Sequence, residues 1–411
     1  MPALKPPKKD YTRKNTNFLK PLFLNHFGTL TDPRIDRSKK HLLIDIIAIA
    51  ILAVISGADG WVGIETYGQA KYEWLSEFLD LPNGIPSHDT FSRVFARLNP
   101  EEFQQGFLNW VNSITKKLGV KVIAIDGKTL KQSYDRNQKQ KALHIVSAWS
   151  DSHQLVLGQH KVKEKSNEIT AIPQLLEMLS IEGSIITIDA MGCQKDITSL
   201  IITKKAMQRG LGGFPHERLH QEADYILALK ANQKTLYEEV KTWFDLAMKS
   251  DFVGKDYSYY QEIESGHNRI EKREVWTVNV SSFTCLHNQS LWTGLTTIVM
   301  VRSQRRLWNK TTTEVRFYIS SLENNADKIA KAIRSHWGIE NSLHWILDVT
   351  FSEDSSRIRK DNSPENLALL RRLALNLMKQ ETSFKGSLKM KRYRAAMDNN
   401  YLVKILASAS K

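Results

Sequence analysis

Two short apolar runs in this chain each stop at an aspartate. Val122-Ile123-Ala124-Ile125 leads into Asp126-Gly127, and Ser184-Ile185-Ile186-Thr187-Ile188 leads into Asp189. Runs of this length, rich in β-branched residues and closed by turn-forming residues, read as strands buried on both faces. Such strands need covering layers on both sides, so the rest of the chain is constrained to supply them.

The surrounding pattern orders these strands. Ala142–Trp149 and Gln154–Lys163 alternate or run apolar like strands, and Glu168–Leu179 has i, i+3, i+4 helical spacing. Lys195–Lys205 is helical and Tyr225–Leu229 is a further strand. Three strands, helix, strand, helix, strand suits an antiparallel meander followed by βαβ crossovers. That order predicts an α/β chain with a ribonuclease-H-like catalytic core over 116–235 and 325–380. A helical N-terminal domain spans 21–115, including the apolar run Leu42–Ile55 and a helix starting at Ser87, which caps it. A β-rich insertion occupies 236–324, with strand-like pieces at Arg273–Val280, Leu295–Val301 and Glu314–Ser320. Helical periodicity returns at Ala326 and persists to about Met378. Residues 1–20 read as a basic flexible arm, 381–411 as a basic C-terminal tail, and 206–222 as a glycine-bearing surface loop.

In a sheet of that order the first and fourth strands are neighbours. Carboxylates presented side by side from Asp126 and Asp189 are hard oxygen ligands suited to Mg²⁺ or Mn²⁺. Either aspartate alone reads as a turn or N-cap residue; the pair in this order reads as a metal site. A third acid is expected from a helix after the insertion, and Glu340 provides one. On a regular helix Ile333, Trp337, Glu340, His344 and Leu347 share one largely apolar stripe. An unpaired carboxylate is costly there, which a ligand role, or an ion pair with Arg334 or His344, would explain. His336, Glu340 and His344 have i, i+4 spacing, but His-Glu-x-x-His is absent and a structural zinc wants a further ligand.

Charge points to the partner. There are 58 Lys and Arg against 44 Asp and Glu, net +14. Residues 1–20 and 381–411 each carry net +5, which leaves +4 for everything between. Basic ends on a near-neutral body suit a polyanion, most simply nucleic acid. Two cysteines exclude a disulfide scaffold or a cysteine-rich zinc module. Leu42–Ile55 is short for a membrane span and contains Asp45, so no membrane association is expected. No secretory leader is visible at Met1-Pro2-Ala3-Leu4-Lys5, and the expected location is cytoplasmic, associated with the nucleoid.

Several motifs resemble one family. Ala124-Ile125-Asp126-Gly127-Lys128-Thr129, Thr187-Ile188-Asp189-Ala190-Met191, Asp224–Gln233 and His336-Trp337-Gly338-Ile339-Glu340-Asn341-Ser342-Leu343-His344-Trp345, running on through Phe351-Ser352-Glu353-Asp354 to Asn366-Leu367-Ala368, are similar to the H-repeat-associated, DDE-type transposases of bacterial insertion sequences. Gly57–Trp61 and Gly84–Phe91 resemble the associated N-terminal domain. The resemblance covers roughly residues 20–380. It implies metal-dependent cleavage and joining of DNA at element ends, with Asp126, Asp189 and Glu340 as the acidic triad, two Mg²⁺ per active site (Mn²⁺ substituting), and a homodimer on DNA. Related enzymes carry Tyr-x2-Arg-x3-Glu-x6-Lys around the glutamate; here Ile333, His336, Glu340 and Leu347 stand in those places. Phosphate contacts are therefore expected from Lys128, Arg334, His336, Arg357, Arg359 or Lys360. Trp308, among Arg302, Arg305, Arg306 and Lys310, is the candidate for stacking on a displaced base. The rival readings are a structure-selective nuclease that cuts without joining, and a domesticated DNA-binding remnant.

Overall fold

The two aspartate-ended runs become adjacent parallel strands of one large sheet. The computed structural model describes residues 16–115, 121–134, 141–163, 166–207, 223–266 and 269–408. The strands are β1 (Val122–Thr129), β2 (His144–Ser150), β3 (Leu155–Lys161), β4 (Ile185–Ile188), β5 (Asp224–Leu229), β6 (Tyr257–Gly266), β7 (Arg269–Asn279), β8 (Thr297–Leu307) and β9 (Lys310–Ser320). They form a single sheet in the order β3-β2-β1-β4-β5-β9-β8-β7-β6. β1, β4 and β5 run parallel, with Ile125 opposite Ile188 and Ile188 opposite Leu227. β2 and β3 extend one edge as an antiparallel meander. β9 pairs antiparallel with β5, so the β-rich segment continues the sheet rather than standing apart from it. Its distal half projects: β8 and β9 pair out to Leu307 and Lys310, with Trp308 at the tip.

Before the sheet come α1 (Leu19–Phe27), α2 (Leu43–Ile55), α3 (Trp61–Ala70), α4 (Tyr72–Leu75), α5 (His88–Arg97) and α6 (Pro100–Thr115). α2 is apolar all round and buried from Asp45 to Ile55, as an entirely enclosed helix must be. Its one charge, Asp45, accepts the Leu81 N–H at 3.0 Å. Crossovers α7 (Glu168–Met178) and α8 (Lys195–Met207) link the parallel strands, and α9 (Lys234–Lys249) follows β5. Then come α10 (Ala326–Gly338), a π-helical segment Ile339–His344, α11 (Trp345–Val349), α12 (Ser363–Gln380), α13 (Leu388–Met397) and α14 (Asn399–Ser408).

α12 ties the layers together. It packs on α2, α5 and α6 and on β3. Asn376 exchanges two 2.8 Å hydrogen bonds with the backbone of Val156, acting as a strand partner. Asn366 donates to the carbonyls of Phe95 and Leu98. One hydrophobic core consequently runs from Leu19 in α1 through the sheet to Leu406 in α14.

Four expectations change. Residues 1–15 lie outside the described residues, but Thr16 and Leu19 are buried, so the helical layer begins inside the segment read as an arm. Residues 381–408 are not a tail: α13 and α14 pack on the core, and Lys391 and Arg392 are buried with their charges on backbone carbonyls. The helical stretch after Ala326 is broken at Thr350–Asn362. Ser87 stands at the N-cap position of α5 without capping through its side chain; Glu65 of α3 accepts the His88 N–H instead, at 2.9 Å. Residues 208–222, most of the glycine-bearing loop, lie outside the described residues.

Candidate active site

Asp126 lies within β1, opposite Ser147 of β2, so this strand runs through its aspartate to Thr129 instead of stopping there. Asp189 follows β4 directly. Its Oδ1 accepts the Met191 N–H at 3.0 Å and the Gly192 N–H at 3.4 Å, which makes the turn and fixes the carboxylate together. The loop after it is held from β5's far end: Asn232 donates to the Ala190 carbonyl at 2.6 Å and Gln233 to that of Cys193 at 3.0 Å.

Glu340 comes from the π-helical segment. The wide turn breaks the regular stripe, leaving Ile333 and Leu347 buried and Glu340 exposed. The apolar burial expected for this carboxylate is therefore wrong. π-Turns inside α-helices are rare and concentrate at functional sites. Gly338 permits the approach of α10 to the β2–β3 turn, because a Cβ there would fall 2.2 Å from an Asp151 carboxylate oxygen.

The acids feel one another. Burial pushes the Asp126 carboxyl up to about 7, and the negative charges of Asp189, Glu168 and Glu340 add to that against the Gly127 N–H. Burial raises Asp189 as well, followed by the charge of Glu168, with Lys230 opposing. Glu168, at the start of α7, is the residue that motif reading missed. Its signal is its place at the head of the crossover helix between the meander and β4.

The imidazoles nearby carry no charge at neutral pH. His344 Nδ1 lies 3.5 Å from Asp126 Oδ2. Burial, with Arg372 and Lys128 adding, pushes His344 down to about 3, and its Nε2 is buried without a protein partner. His336 is half-buried, bonds Thr187 Oγ1 at 2.9 Å through Nδ1, and is pushed down to about 4 by burial. It has no charge to offer a phosphate, contrary to expectation. Lys128 is also withdrawn from DNA: it is buried, with Nζ 2.7 Å from both Asp348 and Asp354. Those two acids are thereby engaged, and Glu353 is fully buried against Arg372 at 2.8 Å, so none of the three competes with Glu340.

Among the other basic candidates, Arg334 pairs with Glu264 of β6 at 3.0 Å. Arg359 donates to the Gln132 carbonyl and stacks over Tyr134. Arg357 is exposed, and Trp308 is 95% exposed.

Hard oxygen donors from three elements thus gather where Lys128 is unable to balance them. That donor set fits a divalent cation. Among the described residues no three His, Cys, Asp or Glu side chains already sit close enough together to hold an ion. Mutually repelling carboxylates would stand off in this way.

Comparison with known proteins gives a consistent result. A family model described as "Transposase DDE domain" matches residues 118–377, and one described as "DDE_Tnp_1-associated" matches residues 24–111. "H repeat-associated putative transposase YhhI" of Escherichia coli strain K12 is 39% identical over 390 residues, covering 94% of this chain and 98% of that protein. "Putative transposase YncI" of Escherichia coli O157:H7 is 40% identical over 390 residues, covering 94% and 95%. A solved piggyBac transposase synaptic complex with hairpin DNA aligns at a TM-score of 0.39 and 11% identity, over 96% of this chain and 79% of that one. Likeness at that level carries no weight.

Proposed function

The chain belongs to the DDE transposase family, and from that premise we propose how its residues divide the work of a DNA transposase. Asp126, Asp189 and Glu340 would hold Mg²⁺ or Mn²⁺, two ions per active site. When bound, a pair of divalent cations stabilises both the attacking and the leaving oxygen of a phosphoryl displacement. The carrying observation is that Asp126 and Asp189 lie side by side on adjacent parallel strands, from positions 126 and 189 of the sequence. The strand order β3-β2-β1-β4-β5 supports a ribonuclease-H-like core, with β6–β9 as its insertion and residues 21–115 as the layer that recognises the element's terminal repeats.

The protein's own groups position the reaction. Asp189 is held by two backbone N–H groups, and its loop by Asn232 and Gln233. His344, uncharged, faces Asp126 without competing for its charge. Water cuts one strand at the element end, and the freed 3′-hydroxyl then attacks a phosphodiester of target DNA. No side chain serves as nucleophile. Paired ends call for paired protomers, so a homodimer on DNA is part of this reading, as is action at the nucleoid. No helix among the described residues is long and apolar enough to cross a membrane.

The test uses the full chain, a duplex ending in the terminal repeat, a supercoiled target and Mg²⁺. A transposase yields nicked ends and joined products. Nicking without joining would assign a nuclease, and binding without either a non-catalytic remnant.

Trp308 gives a separate prediction. At the tip of the β8–β9 hairpin, it has almost no packing to lose. Trp308→Ala is expected to leave the melting temperature unchanged and to impair second-strand processing more than first-strand nicking. Loss of one stacked base is worth about 1–3 kcal/mol, or roughly 5- to 150-fold. Equal loss of both steps would remove Trp308 from the base-stacking role.

A further inference from the structure

Three elements meet behind the acidic pair in one chain of hydrogen bonds. Glu168 heads α7, where Asn167 caps the helix by accepting the Ile169 N–H. Glu168 Oε1 lies 2.6 Å from Nε2 of His144 on β2. His144 Nδ1 lies 2.7 Å from Oγ1 of Thr129 on β1. In the Nε2–H tautomer the Thr129 hydroxyl donates to Nδ1, and Nε2 donates to the carboxylate. The ring is thereby fixed at both ends, and with it the direction of Glu168.

Gly127 makes room for this arrangement. A Cβ at 127 would stand 2.1 Å from Glu168 Oε1 and 2.7 Å from His144 Nε2. The residue after Asp126 must therefore lack a side chain for Glu168 to lie where it does. The Glu168 side chain is only 14% exposed, and its charge acts on both Asp126 and Asp189. Holding another carboxylate against two like charges is unfavourable unless a cation is shared among them.

We propose that Glu168 is a fourth acid of the centre, binding the divalent cation with Asp126 and Asp189, and that His144 and Thr129 are positioning residues that aim it. This rests on the metal-centre reading above. Ligand-orienting hydrogen bonds of this kind are typically worth 10- to 100-fold in metal affinity.

The experiment is calorimetric titration of the metal-free full-length protein with MnCl₂, with melting temperatures recorded with and without Mn²⁺. Glu168→Gln is expected to weaken Mn²⁺ binding at least tenfold, while the metal-free variant melts no lower than wild type. His144→Ala is expected to weaken binding about 10- to 100-fold. His144→Gln, whose amide N–H can reach the same acceptor, should recover most of that. Wild-type Mn²⁺ affinity in Glu168→Gln overturns the proposal, as does a lowered melting temperature with affinity unchanged. If Glu168→Gln does not fold, the two His144 variants decide: equal affinity in both overturns it. Asp126→Asn separates the two levels. If it too binds Mn²⁺ like wild type, the metal centre itself fails. If it binds weakly while Glu168→Gln does not, only the role of Glu168 fails.

Discussion

Asp126→Ala, Asp189→Ala and Glu340→Ala are each expected to reduce Mg²⁺-dependent nicking by about 10³-fold or more, since each removes a group placed where phosphoryl charge develops. The same variants are expected to bind terminal-repeat DNA and to melt no lower than wild type in the absence of metal. Clustered carboxylates repel, so removing one relieves the apo site instead of weakening it. Nicking, end binding and melting temperature measured on the same preparations check all three. A variant that nicks near the wild-type rate would take its residue out of the centre. Loss of binding together with unfolding in all three would make the acids structural.

The raised Asp126 carboxyl adds a pH signature. Its pKa stands at about 7 in the folded chain against 3.8 for an unperturbed aspartate. Between those values the folded protein keeps a proton that the unfolded chain has released, so stability falls as pH rises. The metal-free protein is expected to lose melting temperature from pH 4 to pH 8, and Asp126→Asn to flatten that slope. Saturating Mg²⁺ should flatten it too, because a bound cation displaces the proton. A metal-free melting temperature that rises across this range would contradict the assigned environment of Asp126.

What could be read before folding was whatever has a local signature. β1, β4 and β5 are announced by apolar runs, and the crossover helices by their 3.6-residue period. β6 was missed because Tyr257–Gly266 alternates only weakly: it is an edge strand, exposed at every other residue. The π-turn at Ile339–His344 has no sequence period of its own, so Glu340 was assigned to a buried stripe it does not occupy. Burial of charge is the other blind spot. Lys128 reads as a free cation until the chain returns 220 residues later with Asp348 and Asp354. Arg392 reads as part of a basic tail, but its guanidinium reaches the Val54 and Ala58 carbonyls and Asp59 in the N-terminal layer. Net charge counts such residues without knowing which face solvent.

The segment Thr350–Asn362 has no regular structure, yet it must hold Asp354 against Lys128, two residues from Asp126. Its anchor is Glu353, whose side chain is wholly buried and lies 2.8 Å from an equally buried Arg372 on α12. Arg372 also donates to the Ala368 carbonyl, but its Nε and Nη2, and Glu353 Oε2, have no protein partner. Glu353→Ala would leave that guanidinium in a cavity without its counter-charge, with Arg371 beside it. Breaking such a pair from one side costs about 3–5 kcal/mol, whereas replacing both partners by apolar groups of similar volume is often neutral or stabilising. The expected result is a loss of about 3–5 kcal/mol in denaturant unfolding for Glu353→Ala, and recovery of most of it in Glu353→Met combined with Arg372→Met. Recovered stability need not bring recovered activity: if the ion pair also sets where Asp354 holds Lys128, the double variant will fold but nick slowly. A Glu353→Ala protein as stable as wild type would show that the pair does not anchor this loop, and that Lys128 with Asp348 is enough to hold it.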